Sequence, residues 1–395
     1  MRPKNLKGLS LHELQEFVES LGEKRYRAAQ LFSWLYGKRA QTFDEMSDIS
    51  KHFRTILSEA AVIENLELVT KQVSALDGTT KFLFKLADGL VIESVLIPAE
   101  EASPSAGKRL TLCISTQVGC PLDCKFCATG TMGFYRNLTT GEIVDQVLQV
   151  QNHSPRRVTN IVYMGMGEPM LNYENVMKSV EILNAENGPA IGSRHITVST
   201  AGYADRIRRM ADEDRKVKLA LSLHSLDNEK RNLIMPITKK YSVPVLLDAL
   251  QYYYHKTRRR PTIEYILFDG FNDTEADLKS LIAVCRRIPC KVNIIPFHSI
   301  SFTHPSGVAA TLKPTPRLRM EEFVQRLRDA HVTVMIRSSA GEDIDAACGQ
   351  LAVREEKGKQ KSELGGRRSA SSERKPRLKP LTSDDPPLFP LRQTS

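Results

Sequence analysis

From residue 110 to residue 297 the chain alternates short apolar runs with longer segments of helical periodicity, and this alternation limits the folds open to it. The apolar runs occupy 110–115, 158–164, 195–199, 218–223, 262–268 and 291–297. Helix-like segments separate them, among them 141–151, 174–187 and 274–286. A strand that returns to the same sheet after a helix pairs in parallel, so six such repeats predict a parallel sheet covered by helices. The runs read as strands buried on both faces. A partial barrel and an open doubly wound sheet both satisfy the pattern.

The flanks differ from this core. Residues 1–62 predict a helical accessory module. Ser10-Leu11-His12-Glu13 has capping-box spacing, and Leu14, Phe17, Val18 and Leu21 follow at helical intervals. A second stripe, Ala28, Leu31, Phe32, Leu35 and Tyr36, is edged by Lys24, Arg25, Arg27, Lys38 and Arg39. Basic edges suit an RNA-binding appendage and a plain accessory bundle equally. Residues 63–105 form a small β extension, with strand-like runs at 80–85 and 91–97 and Asp77-Gly78 and Asp88-Gly89 at tight turns. It ends in a polar loop over 100–108. The βα core runs over 106–351, and the Lys-, Arg-, Ser- and Pro-rich stretch 352–395 is expected to be disordered.

The net charge of +10 favours a polyanionic partner. Residues 351–395 carry half of it, with eleven Lys or Arg against six Asp or Glu, so the body is only mildly basic. No run approaches about 18 consecutive apolar residues, so no membrane-spanning helix and no membrane partner is expected. The basic start lacks the apolar stretch of an export signal. A cytoplasmic location follows as the expectation, and clustered cysteines in a reducing compartment point to metal or catalysis rather than disulfides.

The cluster lies directly after the first core strand: Cys120-Pro121-Leu122-Asp123-Cys124-Lys125-Phe126-Cys127. Zinc and cubane iron–sulfur sites usually take four protein ligands, and here three thiols stand close together. Three thiolates on a [4Fe-4S] cube leave the fourth iron open for a ligand. A zinc ion completed by a distant residue is the alternative, although none of the nine histidines lies near this loop. Other polar residues fall at strand ends, where βα proteins bind ligands. Gly165, Gly167 and Glu168 end the second strand, Ser199 the third, and Ser222, Leu223 and His224 the fourth. Glycines there allow close backbone approach, and Glu168 can accept from an ammonium group. Taken singly, each is an ordinary strand-terminal residue. Cys113, in the first strand, and Cys348, in Ala346-Ala347-Cys348-Gly349-Gln350-Leu351, are by spacing alone equally readable as structural thiols. Cys285 and Cys290 are expected to be structural.

The cysteine loop resembles that of the radical-SAM superfamily, and residues 1–351 are similar to its RlmN-type branch, the dual-specificity ribosomal and transfer RNA adenine-C2 methyltransferases. The resemblance rests on the helical N-terminus, Glu93-Ser94-Val95, Cys113 seven residues before Cys120, Gly165-Met166-Gly167-Glu168-Pro169 and the Ala-Ala-Cys-Gly-Gln-Leu ending. It implies a partial (β/α)6 radical-SAM barrel, with Cys120, Cys124 and Cys127 holding a [4Fe-4S] cluster whose open iron binds S-adenosylmethionine (SAM). It also implies that Gly167, Glu168, Ser199, Ser222, Leu223, His224 and His298 contact SAM, with His298 standing where the family usually has Asn. Adenine C2 is electron-poor and is no nucleophile toward a sulfonium. In the family, one SAM therefore methylates the cysteine matching Cys348, and a radical derived from a second SAM activates that methyl group. The resulting carbon radical attacks adenine to form a protein–RNA adduct. The thiol matching Cys113 then releases product with a transient disulfide to Cys348, and Glu93 matches the proposed proton acceptor.

Expected partners are 23S rRNA, tRNA and a flavodoxin-like or other one-electron donor, with the chain a monomer. Supporting contacts to RNA are expected from Arg206, Arg208 and Arg209, from Arg258, Arg259 and Arg260, and from Tyr252, Tyr253 and Tyr254 by stacking. The same motifs fit a Cfr-type adenine-C8 methyltransferase. A non-catalytic RNA-binding iron–sulfur protein is the alternative from another class, and it needs neither the Gly-Met-Gly-Glu-Pro segment nor Cys348.

Overall fold

The computed structural model describes residues 3–99, 109–337 and 339–351; the loop expected at 100–108 and the stretch from 352 onward lie outside the described residues. At the N-terminus, β1 (Lys4–Asn5) pairs in parallel with β2 (Ala61–Val62) and closes off the helices Leu11–Ser20, Arg27–Phe32 and Lys51–Ala60. The capping box forms as its spacing predicted. Ser10 Oγ accepts from the Glu13 amide at 3.3 Å, and the Glu13 carboxylate accepts from the Ser10 amide at 2.7 Å. Every member of the second apolar stripe is buried.

Three antiparallel strands follow: β3 (Glu67–Val73), β4 (Thr80–Lys85) and β5 (Val91–Pro98). Both Asp-Gly turns form, with Gly78 and Gly89 at positive φ. Next come β6 (Leu110–Cys113), β7 (Gln117–Gly119), β8 (Phe134–Asn137), β9 (Asn160–Tyr163), β10 (Ile196–Thr200), β11 (Lys218–Ser222), β12 (Thr262–Leu267), β13 (Lys291–Pro296) and β14 (Val334–Ile336). Apart from the β7–β8 hairpin, β3 to β14 form one ten-stranded sheet in the order β14-β13-β12-β11-β10-β9-β6-β5-β4-β3.

From β6 to β14 this sheet is parallel and follows chain order without reversal. A doubly wound sheet requires a reversal of strand order, so the winding is that of a partial barrel. All six expected core strands are present, within two residues at either end. β14 adds a seventh parallel strand, three residues long, that no apolar run announced.

One apolar core runs from the N-terminal helices (Leu14, Phe53) through the helix Thr140–Asn152 (Val144, Val147) to the last long helix (Leu327). That middle helix is buried along nearly its whole length, since the helical module covers its outer side. Lys7 and Asp145 form a buried ion pair there, and Asp145 also accepts from the Leu66 amide at 2.7 Å. Gly8 and Gly141 allow the two backbones to meet: a Cβ on Gly8 would stand 2.5 Å from the Gly141 nitrogen. Among the described residues, no helix is long and apolar enough to cross a membrane.

After β14 the chain crosses the β3–β4 turn. The Gly341 amide donates to Asp77 at 2.9 Å and the Ala75 amide to Asp343 at 3.0 Å. The segment then reaches the cysteine loop, where Gly349 O accepts from the Ala128 amide.

Candidate active site

The polar strand ends open onto one cavity at the C-terminal edge of the parallel sheet. Cys120, Cys124 and Cys127 line it from one side, and Gly167, Glu168, Ser199, Ser222 and His224 line it from the strand ends opposite. The β7–β8 hairpin shapes the cysteine loop. The Cys120 amide donates to Gly133 O at 2.9 Å, and Gly119 sits at φ +72° where a Cβ would stand 1.9 Å from that same oxygen. The loop is tied to the rest of the site through Phe126. Its ring meets the His224 ring edge-on at 4.8 Å and lies 5.8 Å from Phe268.

Burial raises the pKa of all three loop thiols, and their mutual repulsion adds to it at Cys124. Three half-buried cysteines whose thiols resist ionisation on their own suit a site completed by a bound cationic group. Among the described residues, no three His, Cys, Asp or Glu side chains converge to hold one metal ion. Three soft thiols on one wall of a cavity fit a multi-iron cluster, which takes such donors, better than a single zinc, which usually takes four ligands.

Glu168 is fully enclosed. Its Oε1 accepts from the Met170 amide at 3.0 Å and its Oε2 from the Ala201 amide at 2.7 Å, which joins the ends of β9 and β10. Burial nevertheless pushes this carboxyl up to about 7. Gly167 has φ +98°, and a Cβ there would stand 2.5 Å from the Gln117 side chain, whose Oε1 accepts from the Glu168 amide. His224 sits in the left-handed region at φ +56°, and its Nδ1 accepts from the Ile266 amide at 3.0 Å. Burial, reinforced by Arg231, holds it down to about 3. A neutral ring whose Nδ1 accepts carries its proton on Nε2, so it offers the cavity a donor.

Two residues expected at the cofactor are not on the cavity wall. Leu223 does not line the cavity. Its side chain is in the core, its amide donates to Glu264 O and its carbonyl accepts from Arg231. His298 is buried away from the cavity lining and faces Glu342, with Nδ1 3.6 Å from that carboxylate. A strand-end position gave both residues the right height, but the alternation of side chains turned Leu223 inward, and the crossing segment covered His298.

Cys348 lines the main cavity. Cys113 lines a smaller adjoining chamber, which shares Met164, Arg337, Cys348 and Gly349 with the first. Burial pushes the Cys113 thiol up to about 12, Arg337 opposing and Cys348 reinforcing the shift. In the β5–β6 register Cys113 stands opposite Val95, and Glu93, two residues along β5, therefore projects from the same face. Glu93 is buried and pairs with Lys81 of β4 at 3.6 Å; Lys81 also reaches Asp345 O at 3.5 Å, in the segment that carries Cys348.

Arg231, Glu264 and Arg337 escaped the sequence reading. Arg231 is fully buried. It donates to the carbonyls of Leu223, Ala201 and Ser222 and to Thr238 Oγ1, binding the ends of β10 and β11 together. Glu264 and Arg337 line the main cavity from β12 and from just beyond β14. A buried Glu in the run 262–268, which is otherwise mostly apolar, was the one available signal.

The basic clusters expected at RNA are largely engaged within the protein. Arg208 pairs with Asp248, Arg209 with Glu174 and Glu213, and Arg259 with Asp214, while Arg260 donates to Cys290 O. Tyr253 is buried with its hydroxyl on Val217 O, so it cannot stack on a base. Cys290 is buried as expected and Cys285 half-buried, their sulfurs 3.5 Å apart.

Comparison with known proteins adds two family matches. Residues 4–63 match the ribosomal RNA large subunit methyltransferase N-terminal domain, and residues 114–282 match the radical SAM superfamily. A probable dual-specificity RNA methyltransferase RlmN of Thermotoga sp. (strain RQ2) is 47% identical over 351 residues, covering 89% of this chain and 98% of its own length. The dual-specificity RNA methyltransferase RlmN of Geobacter sulfurreducens is 46% identical over 350 residues, covering 88% and 91%. Among solved structures, a radical SAM methyltransferase from Sphaerobacter thermophilus superposes with a TM-score of 0.80 at 41% identity, covering 88% of this chain and 99% of that one.

Proposed function

Since the chain belongs to the RlmN family of radical-SAM RNA methyltransferases, we propose that it methylates C2 of adenine in 23S rRNA and in tRNA through a methylated Cys348 and a covalent protein–RNA adduct. The observation that carries this reading is the position of Cys348. It lies on the wall of the cavity bounded by the three-cysteine loop, with Cys113 in the adjoining chamber. An electron carrier needs no thiol there.

Cys120, Cys124 and Cys127 would hold the [4Fe-4S] cluster, and Glu168, Ser199, Ser222 and His224 would hold SAM. When bound, the cluster supplies the electron that cleaves SAM reductively. The rest falls to this chain's own groups. Glu168 can accept from the ammonium end of SAM, and the Nε2–H of His224 donates into the same space. Cys348 carries the methyl group to the base. Glu93, paired with Lys81, takes the C2 proton, and Cys113 attacks the Cys348 sulfur to free the product. An adenine must leave its stack to reach such a cavity. A one-electron donor of flavodoxin type, a monomeric state and a cytoplasmic site complete the proposal.

Anaerobic reconstitution with iron, sulfide, SAM and ribosomal RNA or tRNA fragments, followed by nucleoside analysis, tests it. The expected product is 2-methyladenosine. Appearance of 8-methyladenosine instead would make the chain a C8 enzyme, and absence of 5′-deoxyadenosine would remove the radical chemistry altogether.

A further inference from the structure

Arg337 is fixed at the junction of the two chambers. Its backbone amide donates to Ile294 O at 2.8 Å, which anchors it beside β13, and its Nη1 lies 3.1 Å from Met164 Sδ at the end of β9. Its side chain lines both the main cavity and the small chamber, as Cys348 does, while Cys113 lines the small chamber alone. A thioether is a weak acceptor, so this guanidinium keeps most of its donor capacity for other groups. The charged and titratable groups around Cys113 are few. Glu93 and Lys81 pair with one another on the neighbouring strands, Cys348 lies across the chamber, and Glu264 faces the main cavity with Oε1 accepting from Asn293 at 2.9 Å. Among the described residues, Glu264 Oε2 has no hydrogen-bond partner although it is buried.

We propose that Arg337 is the positioning cation for product release, easing formation of the Cys113 thiolate that attacks Cys348. The proposal rests on the roles given above to these two cysteines. In the step concerned, the Cys113 thiolate forms an S–S bond to Cys348 while the Cys348 S–CH2 bond breaks. The electron pair of that bond stays with the methylene carbon, delocalised into the electron-poor ring, and is then protonated to give the methyl group. Both sulfurs are oxidised and the carbon is reduced, so no outside oxidant is needed. The thiolate is the reactive form, and a buried thiol in a dry chamber resists making it. A fixed cation within the same chamber offsets that resistance. The electrostatics agree in direction: Arg337 lowers the pKa of Cys113, and Cys348, Glu264 and Cys113 together raise that of Arg337 against its own burial. Glu264, which lines the main cavity but not the small chamber, also draws on the guanidinium charge.

The test is single-turnover release of the protein–RNA adduct, followed by denaturing gel as a function of pH and normalised to the adduct formed. Cys113→Ala serves as the trapped reference. Arg337→Gln should accumulate adduct at neutral pH, with release slowed about tenfold and its pH profile moved up by roughly one unit. Arg337→Lys should recover most of the wild-type rate, which a merely structural role would not predict. Release from Arg337→Gln at the wild-type rate with an unmoved profile would overturn the assignment. So would failure of both variants to form any adduct, since Arg337 would then serve an earlier step. If Cys113→Ala itself traps no adduct, the roles of the two cysteines fall first, and that outcome is visible independently of Arg337.

Discussion

The amide of Ala128 donates to the carbonyl of Gly349 at 2.7 Å, and one residue along, Thr129 Oγ1 donates to Leu351 O at 2.8 Å. These bonds hold the C-terminal segment on the cysteine loop and set Cys348 against the cavity. Residues more than 200 positions apart thus meet on the wall of one cavity.

Gly349 makes that docking possible. It has φ +85°, and a Cβ would stand 3.1 Å from Phe126 O. Gly349→Ala should cost about 1–2 kcal/mol and shift the segment. Mass spectrometry of the purified protein should show a clear drop in methylated Cys348, with the cluster's absorbance retained. Full methylation in the variant would show that the docking geometry does not matter.

Substitutions at the thiols should separate the two halves of the chemistry. Cys124→Ser is expected to lose bound iron and the brown colour of the anaerobically reconstituted protein. Cys348→Ala should keep both, still yield 5′-deoxyadenosine on reduction, and transfer no methyl group to RNA. Transfer by Cys348→Ala would remove the methylcysteine from the scheme.

Glu168 gives the cluster-free protein a signed pH dependence. A carboxyl raised by burial to about 7 favours the folded state while protonated. That contribution is complete below its ordinary value of 4.5 and is lost as the pH climbs through about 7. Denaturant unfolding should report a loss of roughly 3 kcal/mol over that window at most. Glu168→Gln, which cannot ionise, should flatten the curve and weaken SAM binding. A wild-type curve already flat between these limits would count against it.

Arg231 satisfies three strand-end carbonyls from a fully buried position. Its burial lowers the guanidinium only to about 10, so it remains charged at neutral pH. Arg231→Met leaves those carbonyls without donors and should destabilise the protein by at least about 3 kcal/mol. Thermal unfolding checks this; a change of under about 1 kcal/mol would mean that water replaces the side chain.

The features legible beforehand were those written at short range. The capping box at Ser10 and Glu13, the glycine turns and the strand periodicity are local patterns, and each formed. The three-cysteine loop was equally plain, because eight residues suffice to state a ligand spacing. Leu223 and His298 show what short range leaves open: both stand at strand ends, yet both side chains are buried off the cavity wall.

The sequence alone determined the parallel core, the donor loop and the chemical character of the strand ends, because backbone periodicity and ligand spacing act over a few residues. Tertiary structure decided that the strands wind without reversal and that Arg208 and Arg209 meet Asp248 and Glu174 on neighbouring helices. It also decided that Arg337 and Cys348 arrive beside Cys113. Such meetings depend on which surfaces the core brings together, and a charge or thiol carries no local mark of the neighbour it will have.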